Sequence, residues 1–145
     1  MRVKTPKLSV LYIDDEVGTE GFASLFELLE GEGLLITPAK DITTALKLLS
    51  DPSQQFDAAL LDIIMPPLSH YTLEETEGGI STGWRLLDDM RKLRPALPVV
   101  VVTVIQMKDL SGIRERGVTK VLPKEATSTS IARAVRAAVS EGTLS

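Results

Sequence analysis

At 145 residues the chain has the length of one domain, and its 43% hydrophobic and 25% charged composition suits a buried core rather than a disordered or fibrous chain. A net charge of −4, from 16 basic and 20 acidic residues with no block of cations, excludes the footprint of a nucleic-acid or anionic-membrane binder. No cysteine is present, which removes disulfides, thiolate zinc sites and cysteine nucleophiles, and the single His70 leaves no multi-histidine metal site and a poor basis for a Ser/His/Asp triad. No apolar run approaches the ~20 residues of a membrane span, and Met1 to Lys7 lacks the apolar core of a signal peptide. The expectation is a cytoplasmic protein with one domain over 1–145 and a folded core over 8–141.

Short β-rich runs alternate along the chain with segments of helical period, the pattern of βαβ units and a parallel sheet. Leu8 to Ile13 reads as the first strand, stopped by Asp14-Asp15-Glu16. Phe22, Leu25, Phe26 and Leu29 then fall at i, i+3, i+4 and i+7, one apolar face of a helix that Gly31 and Gly33 end. A weak run, Leu34 to Thr37, precedes Asp41, which is placed to cap a helix carrying Ile42, Ala45, Leu46 and Leu49. Asp57 to Leu61 gives a buried strand ending at Asp62. Leu86, Leu87, Met90 and Leu93 mark a third helix, stopped by Pro95, and Val99 to Val102 reads as a central strand covered on both faces and ending at Thr103. A poorly patterned helix over Met107 to Arg116, with Leu110 and Ile113 as anchors, leads to Gly117. Val118 to Leu122 is the last strand, with Lys124 two positions beyond it. Thr127 to Ser130 then supply a cap for a helix whose stripe is Ile131, Val135, Ala138 and Val139.

In an open parallel sheet, ligands bind outside the carboxyl ends of the strands. Those ends carry Asp14 and Asp15, Asp62, Thr103 and, just beyond the fifth, Lys124. Three carboxylates at one edge raise one another's pKa unless a cation neutralises them, and a hard divalent ion with oxygen ligands does so. Mg²⁺ with one or two carboxylates suits a phosphoryl site. Each residue also has a structural reading alone: Asp14 and Asp15 as caps of the following helix, Asp62 as the opening of a turn before Pro66-Pro67, Thr103 as a strand-end hydroxyl, Lys124 as a solvated lysine.

Taken together, Asp14-Asp15, Asp62-Ile63-Ile64-Met65-Pro66, Thr103 and Lys124 at successive strand ends resemble the receiver domain of two-component response regulators, over nearly the whole chain. The resemblance implies a flavodoxin-like (βα)5 fold, a doubly wound sheet of five parallel strands with helices on both faces. It implies Asp62 as phospho-acceptor. Mg²⁺ would be held by Asp15, Asp62 and the backbone carbonyl of Ile64, with Asp14 acting largely through water. Thr103 would donate its hydroxyl to the phosphoryl group, and Lys124 would pair with it. The implied partners are a histidine kinase or phosphotransfer protein and a downstream effector. No direct nucleic-acid or membrane contact and no enzymatic turnover beyond the domain's own aspartyl phosphate is implied. A phosphorylation-independent binding module and a Mg²⁺-dependent phosphohydrolase are the alternatives. The second would need an acid/base carboxylate where Ile64 stands.

The sequence departs from the family pattern in three places. Gly83, which resembles the glycine before the third helix, stands 21 positions after Asp62, so an inserted loop over 67–82 adjoins the site, read as a lid, a docking surface or a solvated excursion. Val121 stands where many receivers have an aromatic residue, and Glu125 where proline is common. Ile64 and Ile105 flank the approach a hydrolytic water would use, and their apolar character implies a long-lived phosphorylated state.

Overall fold

The computed structural model describes residues 7–62, 82–103, 118–123 and 125–143. They form β1 (Leu8–Ile13), α1 (Glu20–Gly31), β2 (Leu34–Ala39), α2 (Ile42–Ser50), β3 (Ala58–Leu61), α3 (Thr82–Leu93), β4 (Val99–Thr103), β5 (Val118–Pro123) and α4 (Ser128–Thr143). The strands make one sheet in the order β2-β1-β3-β4-β5, all neighbours parallel. This is the flavodoxin-like doubly wound order, with its reversal between β1 and β3. The helix expected over Met107 to Arg116 and the inserted loop over 67–82 lie outside the described residues.

Alternation along the strands sorts the interior into two cores, because successive side chains leave a strand on opposite faces. Leu11, Ile13, Ala59, Leu61, Val99 and Val101 pack under α2 and α3, against Ile42, Ala45, Leu49, Leu86, Leu87 and Met90. Val10, Tyr12, Ala58, Leu60, Val100 and Val102 pack under α1 and α4, against Leu29, Ile131, Val135 and Ala138. Burial on both faces explains why β1, β3 and β4 read as continuous apolar runs.

Two local expectations are met by specific bonds. Asp41 caps α2, its Oδ1 accepting from the Thr44 amide at 2.7 Å. Thr127 does the same for α4, its hydroxyl oxygen accepting from the Ser130 amide at 3.1 Å.

Besides the start of β3 at Ala58 rather than Asp57, four details differ from the sequence reading. β2 extends through Pro38 to Ala39. The Leu8 amide donates to the Gly33 carbonyl and the Asp14 amide to the Ala39 carbonyl, so alternate residues of β2 face β1 and Leu34, Ile36 and Pro38 turn their backbone to the open side of this outermost strand. A proline there interrupts no ladder bond. The second difference is in α1, where only Leu29 of the expected face is fully buried, while Phe22, Leu25 and Phe26 are half-buried. α1 packs on the edge strand β2 and on α4, so part of its stripe overhangs the sheet. Phe22 and Phe26 still close on Tyr12, at ring-centroid distances of 5.4 and 5.7 Å. Third, Leu93 is 39% exposed, because it ends α3 beyond the last buried turn. Fourth, β5 continues one residue further, to Pro123.

Candidate functional site

Asp14 and Asp15 follow β1 and Asp62 follows β3, the two strands that adjoin at the reversal of strand order. The ladder itself carries two of them. The Asp14 amide donates to Ala39 of β2 at 3.1 Å and the Asp62 amide to Ile13 of β1 at 3.0 Å, so both backbones are pinned by the adjacent strand. Asp14 is fixed further by the Glu16 amide, which donates to its Oδ1 at 2.9 Å. The main chain then turns over Asp14–Thr19, with Val17 bonded to the Asp14 carbonyl and Thr19 to that of Glu16.

The structural reading of the acidic pair as a helix cap fails on this geometry. α1 begins at Glu20 with Thr19 at the N-cap, and no side chain caps it. The Thr19 hydroxyl donates to the Glu16 carbonyl instead. Asp14 and Asp15 therefore stand a full turn of loop away from the amides they would have capped.

Asp14, Asp15 and Asp62 come together, each offering a carboxylate oxygen within 4.8 Å of the others. Asp14 and Asp62 are buried, at 1% and 6% exposure, and Asp15 is exposed. Burial raises the pKa of Asp15 above its ordinary value, and the neighbouring Asp14 adds to the shift. The group thus has the property a cation site requires: oxygen donors of one charge, two of the three buried, gathered at one point. Hard oxygen ligands in this number fit Mg²⁺ or Ca²⁺ and not a soft transition metal.

Thr103 is the last residue of β4, buried at 2% exposure, and its register partner on β5 is Pro123, the residue before Lys124. Lys124, Ile64 and Ile105 lie outside the described residues, as does His70. Of the sequence-predicted site, the structure therefore brings together the three carboxylates and sets Thr103 at the same carboxyl edge of the sheet.

No protein-family model matches the sequence, and no curated protein is similar to it at a significant level. Solved structures give a different answer. A CheY-like response regulator receiver domain from Methanospirillum hungatei JF-1 superposes with a TM-score of 0.74 at 21% identity, over 96% of this chain and 98% of that one. The chain has the receiver-domain fold. A receiver domain from Clostridium thermocellum agrees, with a TM-score of 0.73 at 22% identity, over 94% of this chain and 98% of that one. A response regulator from Burkholderia pseudomallei, solved with a phosphorylated aspartic acid, calcium ion and citrate, gives a TM-score of 0.67 at 25% identity, over 95% of this chain and 72% of that one. At identities this low the likeness lies in the fold rather than in the sequence. Among the described residues no helix is long and apolar enough to cross a membrane.

Proposed function

We propose that this chain is a phospho-accepting receiver, which takes a phosphoryl group from a phosphohistidine of a histidine kinase or phosphotransfer protein onto Asp62 and thereby alters its contacts with an effector. The observation that carries the reading is the convergence of Asp14, Asp15 and Asp62 at the reversal of strand order. A helix-capping role does not account for it. In this reading Asp62 provides the nucleophilic oxygen. Its bond to phosphorus forms as the donor's phosphorus–nitrogen bond breaks, and the departing imidazole takes up a proton. Asp15, Asp62 and the Ile64 carbonyl would hold Mg²⁺, with Asp14 oriented by the Glu16 amide and acting through water. Bound there, Mg²⁺ supplies positive charge to the equatorial phosphoryl oxygens. Thr103 would donate its hydroxyl to one of those oxygens and Lys124 its ammonium to another.

The ladder bonds on Asp14 and Asp62 support this assignment, since phosphoryl transfer depends on placement and electrostatics more than on covalent assistance. The protein turns over no other substrate in this scheme, and it acts in the cytoplasm. Incubation with acetyl phosphate and Mg²⁺, read by intact-mass spectrometry, tests it. An acid-labile gain of one phosphoryl group is expected in the parent and none in Asp62→Asn, which keeps the shape and removes the nucleophile. Equal labelling of both proteins would overturn the reading.

A further inference from the structure

At the edge of the sheet opposite the carboxylates, a cavity of about 420 Å³ opens between the starts of β3 and β4, the turn after α3 and the last turns of α4. Its apolar wall includes Phe56, Leu93, Leu97, Pro98 and Val139. Its size lies within the ~300–1,000 Å³ of small-molecule sites. The walls are held rigidly. Arg94 donates from Nε to the Leu49 carbonyl at 3.0 Å and from Nη2 to the carbonyls of Asp51 and Gln54 at 3.0 and 2.7 Å. Arg91 donates from Nη1 to the Pro95 carbonyl at 3.1 Å, bracing the same turn. Asp57 exchanges two bonds with Ser9, its Oδ2 accepting from the Ser9 amide at 2.8 Å and its own amide donating to the Ser9 carbonyl at 2.7 Å.

The two charged groups on the wall are not equivalent. Arg94 is committed to three carbonyls, and its charge also faces the Asp51 carboxylate. Among the described residues, Asp57 has one carboxylate oxygen engaged, by Ser9, and the other without a partner. We infer that this cavity is a preformed site for a small apolar molecule carrying an ammonium group, the apolar body lying against Phe56, Leu93 and Val139 and the ammonium against Asp57. The proposal is independent of phosphorylation at Asp62.

The probe is 2-phenylethylammonium, compared with phenylacetate, which has the opposite charge on the same ring, and with ethylammonium, which lacks the ring. Titration is followed by methyl resonances of Leu93, Leu97 and Val139, with saturating Mg²⁺ to keep the amine from the carboxylate cluster. We expect phenylethylammonium to bind up to about fivefold more tightly than phenylacetate, the most an exposed ion pair supplies, and more tightly than ethylammonium, which buries no ring. Asp57→Asn, whose amide oxygen can keep the Ser9 bond, should weaken it about fivefold, and Ala96→Phe, at an exposed position on the cavity wall, should abolish it. Equal binding of phenylacetate, an unchanged affinity in either folded variant, or resonance shifts confined to the Asp14 and Asp62 edge would overturn the proposal. The comparison of the three compounds on the parent protein decides the matter even if a variant does not fold.

Discussion

The two ends of the sheet treat charge in opposite ways. At the carboxyl ends of β1 and β3, three carboxylates are gathered within 4.8 Å of one another, two of them buried. At the opposite end, Arg94 and one carboxylate oxygen of Asp57 are matched to backbone carbonyls and an amide of the segments they join. Polar groups that hold a fold together are paired with their complements, because an unmatched buried group costs about 1–3 kcal/mol. Charges of one sign brought together at a strand end oppose folding unless opposite charge neutralises them, and a divalent cation is one source of that charge.

Removing a charge should therefore act in different ways at the two ends. Arg94→Ala leaves the carbonyls of Leu49, Asp51 and Gln54 without their donor and should destabilise the protein by about 2–4 kcal/mol in urea unfolding. Asp62→Asn should instead cost the protein much of the stabilisation that Mg²⁺ confers, because one of the three gathered carboxylates is lost as a charged ligand. Equal stabilisation of parent and variant by Mg²⁺ would remove Asp62 from the ligand set, and the contrast between the two ends would fail.

Mg²⁺ should stabilise the parent, and Asp15→Asn should weaken its binding about tenfold in isothermal titration, since ligand charge sets affinity for a hard ion. Unchanged affinity would remove Asp15 from the site. Because its folded pKa is raised, the folded state holds the Asp15 proton more tightly than the unfolded state does. In the metal-free protein this residue's contribution to stability is therefore lost as pH rises from the ordinary 3.8 through the folded value, and Mg²⁺ should flatten that slope. A slope that Mg²⁺ leaves untouched would place its origin elsewhere.

The smallest effect sharpens the contrast by sign. Asp41 has its pKa lowered by the Thr44 bonds at the start of α2, so its contribution is present above 3.8 and is lost as pH falls through the lower folded value. Asp41→Ala should cost about 1 kcal/mol near neutral pH and progressively less in acid. A cost that does not shrink in acid would mean that the helix loses packing rather than a charged cap.

Much of this was legible from local pattern. The 3.6-residue stripe of α2, the cap at Asp41 and the unbroken valines of β4 each report a short-range constraint that the residues concerned satisfy among themselves or against a generic apolar surface. The alignment of acidic residues at successive strand ends was legible too, because a parallel sheet puts all those ends on one side. Other features carried no such signal. The half-exposure of Phe22 and Phe26 depends on α1 lying over an edge strand, and their spacing is the same as that of a fully buried face. Nothing local to Pro38 marks it as a strand residue, and only the register, which turns its nitrogen to the open side of β2, makes it one.

Among the described residues, the sequence by itself determined which segments are strands and helices, to within a residue or two at their ends, since these follow from periodicity and from turn and cap chemistry within a few residues. Only the tertiary structure decided the order β2-β1-β3-β4-β5, the approach of Asp14 and Asp15 to Asp62, and the closure of Arg94 onto carbonyls more than 40 positions earlier in the chain. Those depend on which strands adjoin. Strand pairing arises from the packing of two cores on a twisted sheet, and the chain between two paired strands carries no local record of the distance it must close.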